Sequence, residues 1–140
     1  MDPPVARGSL TLVVDASLAV RACLTQSAFR VLGRQRLVAP PHMWAEARSA
    51  LHEAAYRGEL APDLARSALK RLATAPVTPT TLPELGAEAW RIADEFGWAK
   101  TYDAEYVALA GLLGCRLVTL DLALRRGTSR LGFVVGPEEI

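Results

Sequence analysis

Leu10-Thr11-Leu12-Val13-Val14-Asp15-Ala16-Ser17 is a short apolar, β-branched run that halts on an acid. Such a run predicts a buried strand whose last residue leaves the sheet. In open α/β sheets ligands gather outside the carboxyl ends of the strands, which places Asp15 where chemistry is usually done. A second run closes the same way, Arg116-Leu117-Val118-Thr119-Leu120-Asp121. Two strands of one parallel sheet that both finish on aspartate bring two negative charges to one rim. Like charges that close together raise one pKa unless a cation lies between them. The pattern predicts a chain built to hold acids around a metal.

Outward from these strands, helical and extended patterns alternate. Residues 1–9 read as a loose lead-in. Residues 16–24 and then 26–36 carry apolar side chains at helical spacing, for example Phe29, Leu32 and Leu37, with Gly33 as a weak spot. Residues 37–39 predict a short strand ended by Pro40 and Pro41, which cannot donate to a ladder, and Pro41 can open the next helix. That helix, residues 42 to 57, has a stripe of Met43, Ala47, Ala50, Leu51 and Ala54 at period 3.6. Glu46 falls on the flank of this stripe near the helix start. Glu53 shares nearly the same azimuth about 10 Å further along the axis, so only one of the two reaches the strand ends.

Gly58 closes this helix, and Ala61-Pro62-Asp63 starts another that carries Leu64, Ala68, Leu69 and Leu72. Residues 77–79 are a minimal strand. Residues 83–96 predict a helix with Leu85, Ala89, Ile92, Ala93 and Phe96, ended by Gly97. Residues 101–114 are apolar on most sides, with Tyr106, Val107, Leu109, Ala110, Leu112 and Leu113, and predict a central covered helix with Asp103 in its first turn. Residues 117–120 form a strand, 122–126 a short helical turn and 133–135 a last edge strand. The alternation predicts an α/β fold, a three-layer α/β/α sandwich with a central, mostly parallel sheet. With no linker and no internal repeat, the 140 residues read as one domain over 1–140.

Composition bounds the function classes. Hydrophobic residues make up 51% and charged ones 22%, with Gly and Pro scattered, which excludes a disordered chain. No apolar run approaches the roughly 18 to 20 residues of a membrane span, and Met-Asp-Pro-Pro is not a secretion leader, so the expected compartment is the cytosol. Cys23 and Cys115 are isolated and read as buried, reduced thiols. A net charge of +1 excludes a non-specific nucleic-acid binder held by bulk charge. With four acids committed to a metal, however, the remaining 11 face 16 Lys and Arg, and a phosphate-bearing ligand becomes plausible.

Four carboxylates have positional logic: Asp15 and Asp121 at strand ends, Asp103 at a helix start, Glu46 one turn into a helix. Each also has a plain structural reading, since the three aspartates could cap helices and Glu46 could be a solvated helix residue. Their conjunction points to a site. Oxygen-only ligands suit Mg²⁺ or Mn²⁺ and not zinc, which wants His or Cys. Such ions activate water and offset charge during in-line attack on a phosphodiester. The expected roles are Asp15 and Asp103 as direct ligands, with Asp121 and Glu46 completing the site directly or through water. Ser17 and Thr119 could orient carboxylates or waters, or serve only as local caps and strand filler. Arg125 and Arg126, just beyond Asp121, could meet substrate phosphates or form a solvated face. His42 and His52 lie ten residues apart on one helix, too far to be joint ligands, and receive no chemistry. Trp44, Trp90 and Trp98 could stack bases, but they read first as core or interface packing residues.

Val14-Asp15-Ala16-Ser17, the stretch from Pro41 through Glu46 to Leu51, Tyr102-Asp103-Ala104-Glu105-Tyr106-Val107-Ala108-Leu109-Ala110 and Val118-Thr119-Leu120-Asp121 together resemble the PIN-domain ribonucleases, specifically the VapC-type toxins of toxin–antitoxin pairs. The resemblance implies Mg²⁺- or Mn²⁺-dependent endonucleolytic cleavage of RNA, a homodimer, and inhibition by a small antitoxin whose tail occupies the acidic groove. It maps the family's acidic positions onto Asp15, Glu46, Asp103 and Asp121. Two departures are visible: Ser49 stands where the family often has Asn, and no further acid follows Asp121 closely. Two other readings stay open. A phosphatase of the haloacid dehalogenase type would need a second Asp where this chain has Ser17, and a non-catalytic α/β binding domain would use its acids only as caps.

Overall fold

The structure is a computed structural model that describes residues 10–25 and 28–140; the lead-in over 1–9 and the first two residues of the 26–36 segment lie outside the described residues. Among the described residues five strands form one sheet: β1 (Thr11–Val14), β2 (Arg36–Ala39), β3 (Val77–Pro79), β4 (Arg116–Val118) and β5 (Val134–Val135). Their order is β3-β2-β1-β4-β5 and every pairing is parallel, with Val13 opposite Val38 on one side and Leu117 on the other. Leu12, Val13 and Val14 are all buried, as a central strand covered on both faces requires.

The strand order explains where ligands can enter. From β1 the chain steps outward through β2 to β3, then returns to lay β4 and β5 on the other side of β1. The direction therefore reverses between β1 and β4, and the crevice beyond their carboxyl ends is the switch point of the sheet. Asp15 and Asp121 follow those two strands.

Among the described residues six α-helices flank the sheet: α1 (Ala16–Leu24), α2 (His42–Tyr56), α3 (Pro62–Ala73), α4 (Leu85–Phe96), α5 (Tyr102–Leu113) and α6 (Leu122–Gly127). The first three pack on one another, α4 packs on α5, and α5 lies against β1 and β4. The small residues Ala104, Ala108 and Ala110 on α5 are fully buried and allow that close approach. Gly97 and Gly114 end α4 and α5 at positive φ, +71° and +66°, a conformation open to glycine at little cost.

Several expectations are corrected. Residues 28–32 form only a 3-10 turn, stopped by Gly33 at φ +69°. On α3 only Ala68 and Leu72 are buried, whereas Leu64 and Leu69 face outward; on α5, Leu112 and Leu113 reach the surface. Strand β4 stops at Val118 because the Leu120 N–H is taken by the Ser17 hydroxyl at 3.1 Å rather than by a neighbouring strand. Trp90 is 68% exposed and so is no core residue, while Trp98 is half-buried and stacks on Phe96. Cys23 is buried and Cys115 half-buried, both free. No helix among the described residues is long and apolar enough to cross a membrane.

Candidate active site

Asp15 is the first residue past β1, and only 4% of its surface is exposed. Its Oδ1 accepts from the Leu18 N–H at 3.0 Å, capping α1, and from the Ser17 hydroxyl at 2.7 Å. Its Oδ2 accepts from the Thr119 hydroxyl. Burial pushes the carboxyl above its ordinary pKa; hydrogen bonds from Thr119, Ser17 and Leu18 oppose this, and the charge of Asp103 adds to it. Thr119 joins both strand ends: it donates to Asp15 and accepts from the Asp121 N–H at 3.0 Å. Ser17 and Thr119, 3.3 Å apart, thus hold the two aspartate-bearing turns together.

Asp121 is exposed and caps α6 by accepting from the Leu124 N–H at 3.1 Å. Asp103 sits in the first turn of α5, where no side chain caps the helix, and its carboxylate has no hydrogen-bond donor among the described residues. The capping role open to it from sequence is therefore not the one it plays. Although Asp103 opens to solvent, partial desolvation and then the charges of Asp121 and Glu46 hold its pKa above the ordinary value, against a smaller opposing effect of His42.

Glu46 reaches the same region from α2, while Glu53, two turns further on, is exposed and lies 3.9 Å from Arg57. Glu46 Oε1 accepts from the Tyr106 hydroxyl at 2.7 Å and lies 3.1 Å from His42 Nε2. Burial alone would raise the Glu46 pKa, but the hydrogen bonds from His42 and Tyr106 outweigh it and keep the group ionised. His42 mirrors this: burial works against its charged form, yet Glu46 tips the balance and its pKa is raised. Burial and Glu46 hold the Tyr106 phenol far above its usual pKa, so it stays a donor.

His42 and Tyr106 are the residues that sequence reasoning missed. His42 stacks on the Tyr102 ring, with centroids 5.3 Å apart, and its Nε2 lies 3.2 Å from the Tyr102 carbonyl oxygen. The His42 to Glu46 spacing of i,i+4 was the available signal, because side chains four apart on a helix meet. Tyr106 read as a core residue, which it is, but its hydroxyl reaches across to Glu46.

Asp103 is therefore within electrostatic reach of each of the other three acids, Asp15, Asp121 and Glu46. Among the described residues no group of three or more His, Cys, Asp or Glu side chains closes into a ready coordination shell. An ion held there would keep several waters, as Mg²⁺ commonly does. Of the two arginines beyond Asp121, Arg126 is exposed, while Arg125 is bound to Glu138 and Glu139.

Known proteins give the same reading of the fold. The PIN domain profile matches residues 12–128. The VapC ribonuclease Mb0985 of Mycobacterium bovis is 37% identical over 114 residues, covering 81% of this chain and 87% of its own length. Ribonuclease VapC3 of Mycobacterium tuberculosis is 38% identical over 120 residues, covering 82% and 85%. The crystal structure of PAE2754 from Pyrobaculum aerophilum superimposes with a TM-score of 0.72 at 28% identity, covering 93% of this chain and 91% of that one. An all-parallel sheet with acids at its switch point, matched over most of its length to these proteins, places this chain in the PIN-domain family, among the VapC-type ribonucleases.

Proposed function

We propose that this chain is the toxin of a toxin–antitoxin pair, an endoribonuclease acting in the cytosol as a single domain, with Asp15, Glu46, Asp103 and Asp121 as the catalytic, metal-holding acids and Mg²⁺ or Mn²⁺ as cofactor. The observation that carries the site is the mutual field of the acids. Burial is the larger cause of the raised pKa of Asp15 and of Asp103, and the acids add to it: Asp103 at Asp15, and Asp121 with Glu46 at Asp103. Such crowding is unfavourable without a cation and favourable with one. The donor set fits: it is all oxygen, and among the described residues nothing donates to either Asp103 carboxylate oxygen. Bound there, the ion would supply charge to offset the phosphodiester as it is attacked.

The chain's own groups divide the remaining work. Ser17 and Thr119 fix the Asp15 carboxylate, and the Asp121 carboxylate is fixed by the start of α6. His42 and Tyr106 fix Glu46 as an anion. Asp103, whose carboxylate accepts no hydrogen bond among the described residues, is free to hold the ion and to orient the attacking water, whose proton passes to solvent. As the water oxygen bonds to phosphorus, the bond from phosphorus to the leaving ribose oxygen breaks, and that oxygen takes a proton from solvent. Ser17 stands where a phosphatase of the haloacid dehalogenase type needs a second acid, and it spends its proton on Asp15. Pairing with a small antitoxin and with a second copy of the chain belongs to the same proposal; the exposed Tyr56, Leu64, Leu69 and Trp90 offer apolar surface for them.

The test is RNA cleavage with Mn²⁺, with Mg²⁺ and with chelator, run beside calorimetric Mn²⁺ binding. The parent should bind Mn²⁺ and cut RNA, and Asp15→Asn should lose both. Metal-independent cleavage, or Mn²⁺ affinity unchanged in Asp15→Asn, would sink the proposal.

A further inference from the structure

Between α6 and β5 lies a cavity of about 500 Å³ lined by Leu122, Arg125, Arg126, Ser129, Val135 and Glu139, among others. Arg125 stands one helical turn after Asp121, and its backbone N–H donates to the Asp121 carbonyl at 3.1 Å, so the short helix that Asp121 caps also carries Arg125. The Arg125 side chain is only 24% exposed, and its two terminal nitrogens meet different carboxylates: Nη1 lies 2.9 Å from Glu138, and Nη2 pairs with Glu139. Arg116 adds a hydrogen bond to the Glu139 carbonyl at 3.1 Å. Gly136 makes the arrangement possible, since a Cβ there would collide with both the Glu138 carboxylate and Arg125 Nη1.

Two carboxylates on one guanidinium exceed what pairing needs. A planar fork gripping two anionic oxygens is also the geometry arginine offers to a phosphate. Arg126, next in sequence, has no carboxylate within 4 Å among the described residues. The charges of Arg125, Arg126, Glu138 and Glu139 cancel while the turn Pro137–Glu139 is docked. Without that turn, two positive charges would stand beside the acidic rim. The hold is also exchangeable, because Glu138 and Glu139 are 63% and 44% exposed on a three-residue turn, and exposed ion pairs contribute little.

We propose that this cavity is a subsite for an RNA phosphate next to the scissile bond, and that Glu138 and Glu139 occupy it as carboxylate stand-ins which RNA displaces. This rests on the nuclease reading above and adds a built-in competitor to it. The turn lowers affinity for short or poorly matched RNA, because any strand that uses Arg125 must first release two carboxylates.

Anisotropy of a labelled single-stranded RNA of about 12 nucleotides, bound to the full chain in EDTA where cleavage does not intervene, tests this across a salt series. Glu138→Gln combined with Glu139→Gln should bind about 3- to 10-fold tighter than the parent at low salt. The slope of log affinity against log salt should steepen by about 0.7, one added phosphate contact on a single strand. Gly136→Ala, which keeps every charge but dislodges the pair, should move affinity the same way, and Arg125→Gln should erase the gain. Equal affinity in parent and double variant overturns the inference, as does a gain that survives Arg125→Gln. A parent that cleaves RNA with Mn²⁺ while those affinities stay equal keeps the nuclease reading and loses only this one; a parent that neither binds nor cleaves RNA loses both.

Discussion

The Tyr106 hydroxyl donates to Glu46 Oε1 at 2.7 Å, so the covered helix α5 and the surface helix α2 meet in one hydrogen bond at the acidic rim. Tyr106 is fully buried, and His42 packs against its ring with centroids 4.8 Å apart. Position of the glutamate and packing of the core are thereby set by the same side chain.

Tyr106→Phe keeps the ring and removes the donor. Loss of one hydrogen bond to a charged group should cost about 1.5 to 3 kcal/mol in chemical denaturation. Cleavage should fall by roughly tenfold as Glu46 loses its fixed orientation, a loss comparable to that of outer-shell partners elsewhere. Tyr106→Phe with parental turnover in a Mn²⁺-supported RNA assay would remove Glu46 positioning from the mechanism.

Thr119→Val is nearly isosteric yet leaves a buried Asp15 oxygen without its donor and the Asp121 N–H without its acceptor. Unsatisfied groups of this kind cost about 1 to 3 kcal/mol each. Calorimetry should show Mn²⁺ affinity down by roughly 10- to 100-fold, while circular dichroism reports the parental fold.

Asp103→Asn should separate function from stability. Among the described residues the carboxylate has no donor to lose, and it is crowded by Asp121 and Glu46, so the metal-free variant should melt a few degrees higher than the parent. Its cleavage rate should fall by on the order of 10²-fold or more. A variant that melts lower and still cuts RNA contradicts both halves.

Acidity should stabilise the metal-free chain. Asp15 and Asp103 have folded pKa values raised above an ordinary 3.8, so the folded state binds more protons than the unfolded one and stability falls as pH rises through that window. His42, raised above 6.5, acts in the same sense: its contribution is full below the ordinary value and lost as pH climbs through the folded one. Glu46, lowered from 4.5, opposes only in more acidic solution, where its contribution is lost. Thermal midpoints in EDTA should therefore rise as pH drops from about 8 to about 5.5, and saturating Mn²⁺ should flatten the profile. A midpoint that falls over the same range in EDTA would contradict the assigned shifts.

The sheet was legible because β1, β2 and β4 are short Val- and Leu-rich runs closed by Asp or Pro, a pattern that depends on local residues alone. The acids Asp15, Asp103 and Asp121 were legible for the same reason, since each sits at a boundary between elements. The role of His42 was not, because its chemistry depends on Tyr102 and Tyr106, sixty or more residues away, and only folding brings their rings together. Arg125 shows the same limit in reverse: its sequence neighbour Arg126 marks it as free surface, whereas Glu138 and Glu139 reach it from beyond β5. Leu64 and Leu69 fit a helical stripe on α3, but that helix packs against α1 and α2 through Ala68 and Leu72 and leaves those leucines outside.

All five strands run the same way, so the molecule has a working end and a handling end. Leu10, Gln35, Pro76, Cys115 and Phe133 lead into the strands on the side away from the acids. A dye, a surface tether or a fused partner attached along that far border sits a strand's length from the chemistry, which makes it the place to hold this protein while watching it work.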